Sequence, residues 1–142
     1  MDAELTLDNQ LCFALNAAAR AAAGAYRSAL GELGLTYPQF LVLLALWEAD
    51  GQSVSELGDR VRLDSGTLSP LLRRLAEAGM VERRRSSSDE RRVTIHLTDA
   101  GRDLQPRVAD VQRQLYRRLD MTPEEIATLR SLARRFYAAS DH

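Results

Sequence analysis

The chain has 142 residues, 45% hydrophobic and 27% charged, enough apolar material for one folded domain and too much for intrinsic disorder. Its net charge is −1, yet all 19 basic residues are arginine, and nine of them lie between residues 60 and 92 against five carboxylates. That segment therefore carries +4 and the remainder −5, a local basic surface suited to a polyanionic partner.

No apolar run approaches the roughly 18 residues a membrane span needs. The acidic start MDAELTLDNQ is unlike the basic start of a secretory signal, so a cytoplasmic protein is expected. The single cysteine, Cys12, excludes an intramolecular disulfide, and His96 and His142 form no cluster with metal-ligand spacing. GxGxxG, GxxxxGK[ST] and GxSxG are absent, and no metal or other cofactor is expected.

Residues 7–33 read as a long helix, with Leu7, Leu11, Leu15, Ala18 and Ala22 at helical spacing. Its alanine-rich middle offers a smooth face for close helix packing, and Gly31 and Gly34 end it. Thr36-Tyr37-Pro38-Gln39 has the form of a capping box and opens an apolar helix to Trp47. Ser53-Val54-Ser55-Glu56 is a second box, opening a short helix to about Val61. Asp64 caps a third helix with Leu68, Leu71, Leu72 and Leu75 on one face, and Gly79 sits at its C′ position. Two strand signals, 80–84 and 92–97, flank the polar loop 85–91 and predict a hairpin. Thr98 caps a predicted long helix to about Leu119, and Thr122-Pro123-Glu124-Glu125 starts a last one.

The expected fold is mainly α with a small β-hairpin: a winged helix-turn-helix over residues 36–98 within a single domain. The flanking segments 5–35 and 99–140 hold more apolar helix than that small unit can cover, which predicts a homodimer built from both ends of the chain. Opposite the leucines of the third helix lie Ser69 and Arg73, with Ser65 and Thr67 at its N-terminal end and Arg74 beside them. These are side chains that can reach phosphates and base edges. Arg83, Arg84, Arg85, Arg91 and Arg92 crowd the hairpin, where a narrow arginine-bearing tip suits the minor groove. Asp89 stands two residues from Arg91, placed to pair with its guanidinium.

The run Asp89-Glu90-Arg91-Arg92-Val93-Thr94-Ile95-His96-Leu97-Thr98 resembles the wing of the MarR family of bacterial regulators. Residues 63–75, LDSGTLSPLLRRL, resemble that family's recognition helix. Leu7-Asp8-Asn9-Gln10-Leu11-Cys12-Phe13 and Leu35-Thr36-Tyr37-Pro38-Gln39-Phe40 are similar to the organic hydroperoxide resistance regulators, the OhrR subgroup. The resemblance implies a homodimeric, non-enzymatic repressor on a pseudo-palindromic double-stranded DNA operator. It implies that Cys12 senses organic hydroperoxides and that Tyr26 and Tyr37 hydrogen-bond its thiolate. A lone cysteine is ordinarily a small buried hydrophobe, but a place near a helix N-terminus favours the thiolate. Tyr26 lies 14 residues beyond Cys12, about 21 Å along one straight helix, so the two meet only if the helix breaks or the site is shared between subunits.

Asn16 stands where some relatives carry an aromatic residue, and the second, C-terminal cysteine of others is absent. Oxidised Cys12 would then pass to a mixed disulfide with a low-molecular-weight thiol, to a sulfenamide, or onward to irreversible acids. Two alternatives stay open: a regulator of the same fold released by a non-covalent aromatic ligand, and a thiol peroxidase using Cys12.

Overall fold

The computed structural model describes residues 3–85, 88–89 and 91–140. Ser86, Ser87 and Glu90 of the predicted hairpin tip, and His142, lie outside the described residues. The element order is α1 (Leu11–Gly31), α2 (Tyr37–Glu48), β1 (Gln52–Ser53), α3 (Val54–Val61), α4 (Ser65–Glu77), β2 (Val81–Arg85), β3 (Val93–Leu97), α5 (Asp99–Asp103), α6 (Gln105–Arg117) and α7 (Pro123–Ala139). Helices α2, α3 and α4 and a three-stranded antiparallel sheet of order β1-β3-β2 form a winged helix-turn-helix.

Local chemistry accounts for most boundaries. At Thr36 and Thr122 both arms of the capping box are made, and each helix carries proline in its first turn. The Asp64 carboxylate accepts the Thr67 N–H at 2.7 Å and starts α4. Gly79, at φ +80°, turns the chain from α4 into β2 in a conformation L side chains avoid. The core lies within the reading unit: Phe40, Leu43 and Leu46 of α2, Leu57 of α3, Leu68, Leu72 and Leu75 of α4, and Ile95 of β3 are buried. Leu30 from α1 and Val108 from α6 reach into it.

The structure departs from the sequence reading in four places. Helix α1 starts at Leu11 rather than residue 7, because Leu7–Asn9 is a separate 3₁₀ turn. The Gln10 amide fixes that turn by donating to the carbonyls of Glu4 at 2.8 Å and Thr6 at 2.9 Å. Ser53 makes half a capping box: its hydroxyl accepts the Glu56 N–H at 3.1 Å, but the Glu56 carboxylate takes the Ser53 hydroxyl and Arg92 instead of the backbone. Gln52 and Ser53 add a short strand, paired with Ile95 and Thr94, so the hairpin is part of a three-stranded sheet. The helix predicted from Thr98 to Leu119 is two helices meeting at Leu104, since Pro106 has no N–H to give the Arg102 carbonyl.

The junction between wing and outer helices is tightly built. Thr98 donates its hydroxyl to the Gly79 carbonyl at 2.6 Å and accepts the Gly101 N–H at 3.1 Å. The Trp47 indole N–H donates to the Gly101 carbonyl at 3.0 Å, and the Asp50 carboxylate accepts the Leu97 N–H at 2.8 Å. A Cβ on Gly101 would stand 2.2 Å from the Met80 carbonyl oxygen, so only glycine admits this approach.

Candidate nucleic-acid interface and tyrosine cluster

Helix α4 presents its N-terminus outward. Ser65, Thr67, Arg73 and Arg74 are exposed and Ser69 is half-buried, while Leu68, Leu71, Leu72 and Leu75 turn inward. The leucines sit at helical spacing, so burying them leaves the hydroxyls and arginines on the solvent side. Backbone N–H groups from Thr67 and Gly66 hold the Asp64 carboxyl below the usual carboxylate range. Pro70 removes the N–H that would bond the Gly66 carbonyl, without breaking the helix.

The wing extends the same surface. Val81 of β2 is buried and Glu82, Arg83, Arg84 and Arg85 are exposed, with Arg84 paired to Glu82 at 2.9 Å. Arg91 and Asp89 are exposed at the tip. The Asp89 carboxylate accepts the Arg91 backbone N–H at 3.0 Å, so the acid fixes the loop rather than the guanidinium as the sequence suggested. Arg92 is ion-paired to Glu56 of α3 and ties the wing to the helical unit. Between wing and helices runs an open cleft of about 650 Å³ whose lining includes Ser55, Asp64, Ser65, Arg83 and Arg91. The site thus joins a helix N-terminus, small hydroxyls and several guanidinium groups on one surface, the groups that meet phosphates and base edges. The sequence reading took Glu56 only as a capping-box residue and missed its pairing with Arg92, because the two are 36 residues apart.

The second cluster joins α1 to α2. Tyr26 of α1 and Tyr37 at the start of α2 have ring centroids 5.2 Å apart, and Phe40 stacks on Tyr26 at 5.3 Å. These spacings are those of aromatic pairs in contact. Burial, and then the neighbouring Tyr116 hydroxyl of α6, push the Tyr26 phenol far above its usual value of 10.0. Tyr26 therefore stays a protonated donor through the physiological range. Tyr116 was missed because only the fold brings α6 against α1; its signal was a lone aromatic in a polar helix.

Cys12, the second residue of α1, is exposed. Helix α1 runs unbroken from Leu11 to Gly31, so the separation of about 21 Å between Cys12 and Tyr26 stands. The structure brings the two tyrosines together and leaves the cysteine apart from them within one chain. Leu7, Leu11 and Phe13 near it, and Leu129, Leu132 and Phe136 on α7, are exposed apolar side chains. Among the described residues no helix is long and apolar enough to cross a membrane.

Fold and surface together define a winged-helix DNA-reading protein. The family described as "Transcriptional regulator SarA/Rot" matches residues 25–107. The chain is 61% identical over 99 residues to the HTH-type transcriptional regulator TtmR of Methylorubrum extorquens; the match covers 70% of this chain and 51% of TtmR, about half its length. It is 39% identical over 127 residues to the organic hydroperoxide resistance transcriptional regulator of Bacillus subtilis, covering 89% of this chain and 86% of that protein. The structure of reduced AbfR bound to DNA, from a protein of Staphylococcus epidermidis, superposes with a TM-score of 0.81 at 36% identity, covering 93% of this chain and 90% of that one. The chain belongs to the MarR/SarA group of transcriptional regulators and is of the OhrR type.

Proposed function

We propose that this regulator is a homodimeric repressor that releases its operator when an organic hydroperoxide oxidises Cys12. Helix α4 would enter the major groove with Ser65, Thr67, Ser69, Arg73 and Arg74, while Arg85 and Arg91 follow the backbone and minor groove and Asp89 holds the loop. Two copies would place their α4 helices in successive major grooves about 34–36 Å apart, which calls for a pseudo-palindromic site.

The observation that carries the sensing part is the split site. Tyr26 and Tyr37 lie in tilted ring contact as a pair of phenols, and Cys12 of the same chain is out of their reach along an unbroken helix. A second copy docked on the exposed apolar faces of α1 and α7 brings a cysteine to each pair. Phenol donors stabilise a thiolate. That thiolate sulfur attacks one peroxide oxygen, the O–O bond breaks, and the alkoxide leaves and takes a proton to become the alcohol. The sulfenic acid then condenses with a low-molecular-weight thiol, giving a mixed disulfide and water. Packed interfaces accept added volume poorly, so the helices shift and carry the α4 pair out of register.

The test is a mobility-shift titration on the duplex upstream of the protein's own coding sequence, with and without cumene hydroperoxide, before and after thiol alkylation. Release by peroxide that alkylation abolishes supports the reading. Release that ignores alkylation replaces it with a non-covalent ligand, and steady-state peroxide turnover with a reducing thiol would make the protein a peroxidase.

A further inference from the structure

Arg62 ends α3 at φ 61° and ψ 44°, the one positive-φ residue other than glycine among the described residues. A left-handed arginine is costly where glycine would be relaxed, so something must hold it there. Its guanidinium carbon lies 3.6 Å from the centroid of the Tyr137 ring on α7, a close cation–π stack. Glu48, the nearby acid, is taken by Arg60 at 2.6 Å. Helix α7 contributes no buried residue, and Ile126 and Tyr137 are its half-buried side chains. Ile126 faces the cleft beside α6, whereas the Tyr137 end meets the turn that leads into α4.

We propose that the stack of Arg62 on Tyr137 is a positioning contact, fixing the α3–α4 turn to the last helix so that the spacing set by the dimer reaches the DNA-reading helix. It rests on the reading of α7 as a dimerisation helix. Arg62 acts through α4 and not on DNA itself. The strained backbone is then explained: the turn gives up a relaxed glycine for a guanidinium that reaches across to α7.

Arg62→Gly separates the roles, since it relieves the left-handed backbone while removing the guanidinium. Tyr137→Leu removes the ring without changing charge, and Tyr137→Phe keeps the ring. The assays are sedimentation, thermal melting, and DNA affinity against salt on the upstream duplex. Arg62→Gly and Tyr137→Leu should remain dimers, with Arg62→Gly melting no lower than wild type. Both should lose affinity about fivefold to thirtyfold, two stacks per dimer, with the salt slope unchanged. Tyr137→Phe should stay within about twofold of wild type. Loss in Arg62→Gly alone, with the slope reduced by about two, one for each copy in the dimer, would make Arg62 a phosphate contact and overturn the inference. Affinities within about twofold for both disruptive variants would overturn it as well, as would a monomeric Tyr137→Leu. A wild type that is itself monomeric or does not bind the duplex fails the dimeric-repressor reading instead, and the inference with it.

Discussion

Adding one methyl group at Gly101 should destabilise the protein, while the same change at Gly31 should not. In Gly101→Ala the new Cβ meets the Met80 carbonyl oxygen at 2.2 Å and the Leu97 Cδ2 at 3.2 Å. A side-chain tip could swing away, but the Met80 carbonyl is backbone, and that carbonyl also accepts the Thr98 N–H at 3.1 Å. Relief must come from moving α5 off the sheet, which strains the Trp47 bond to the Gly101 carbonyl as well. Overpacking of this kind costs about 3 kcal/mol, at the upper end of the usual range. For a chain of this size that lowers Tm by roughly 6–12 °C. At Gly31 nothing lies within 4 Å of the added atom, so Gly31→Ala gains up to about 1 kcal/mol of helix propensity. The assay is thermal melting followed by circular dichroism and by fluorescence of Trp47, the single tryptophan. A Gly101→Ala variant that melts within about 2 °C of wild type would refute the close packing of this junction.

The remaining predictions concern the two sites. Arg91→Ala should weaken DNA binding by about 1–3 kcal/mol for each copy in the dimer and lower the salt slope by about two without changing Tm, and Asp89→Ala should act in the same direction but less; unchanged affinity and slope for Arg91→Ala would show that the wing does not touch DNA. Asp64, held below its usual value, contributes stability above the ordinary carboxylate range that is lost as pH falls through its folded value, so the acid-side fall in Tm should be shallower in Asp64→Asn; equal falls would contradict the cap assignment. Tyr26, held above 10.0, contributes stability below that pH that is lost as the solution is made more alkaline, and the chain has no lysine to mask the effect; Tyr26→Phe should flatten the alkaline fall in Tm and remove a phenol that titrates above the usual tyrosine range in ultraviolet absorbance.

Wherever the determining contacts are local, the sequence was readable. The Thr36 and Thr122 boxes, the Asp64 cap and the leucine face of α4 act within one or two turns, and they delimit elements as expected. The break at Leu104 was signalled by Pro106, whose missing N–H outweighs the surrounding helical periodicity. Strand β1 was not readable, since Gln52 and Ser53 are extended because β3 pairs with them. The roles of Glu56, Tyr116 and Tyr137 depend on partners brought close by the fold, and a left-handed Arg62 runs against its own propensity. For Cys12 the sequence posed a question: a 14-residue gap to Tyr26. The unbroken helix keeps that gap open within one chain.

The central claim is that oxidation of Cys12 releases DNA, and one comparison tests it most directly. Wild type and Cys12→Ser are bound to the upstream duplex at pH 7 and given a stoichiometric organic hydroperoxide, and release is followed by anisotropy. The account predicts equal binding beforehand, release by wild type, and retention by Cys12→Ser. Release by the serine variant as readily as by wild type would contradict it.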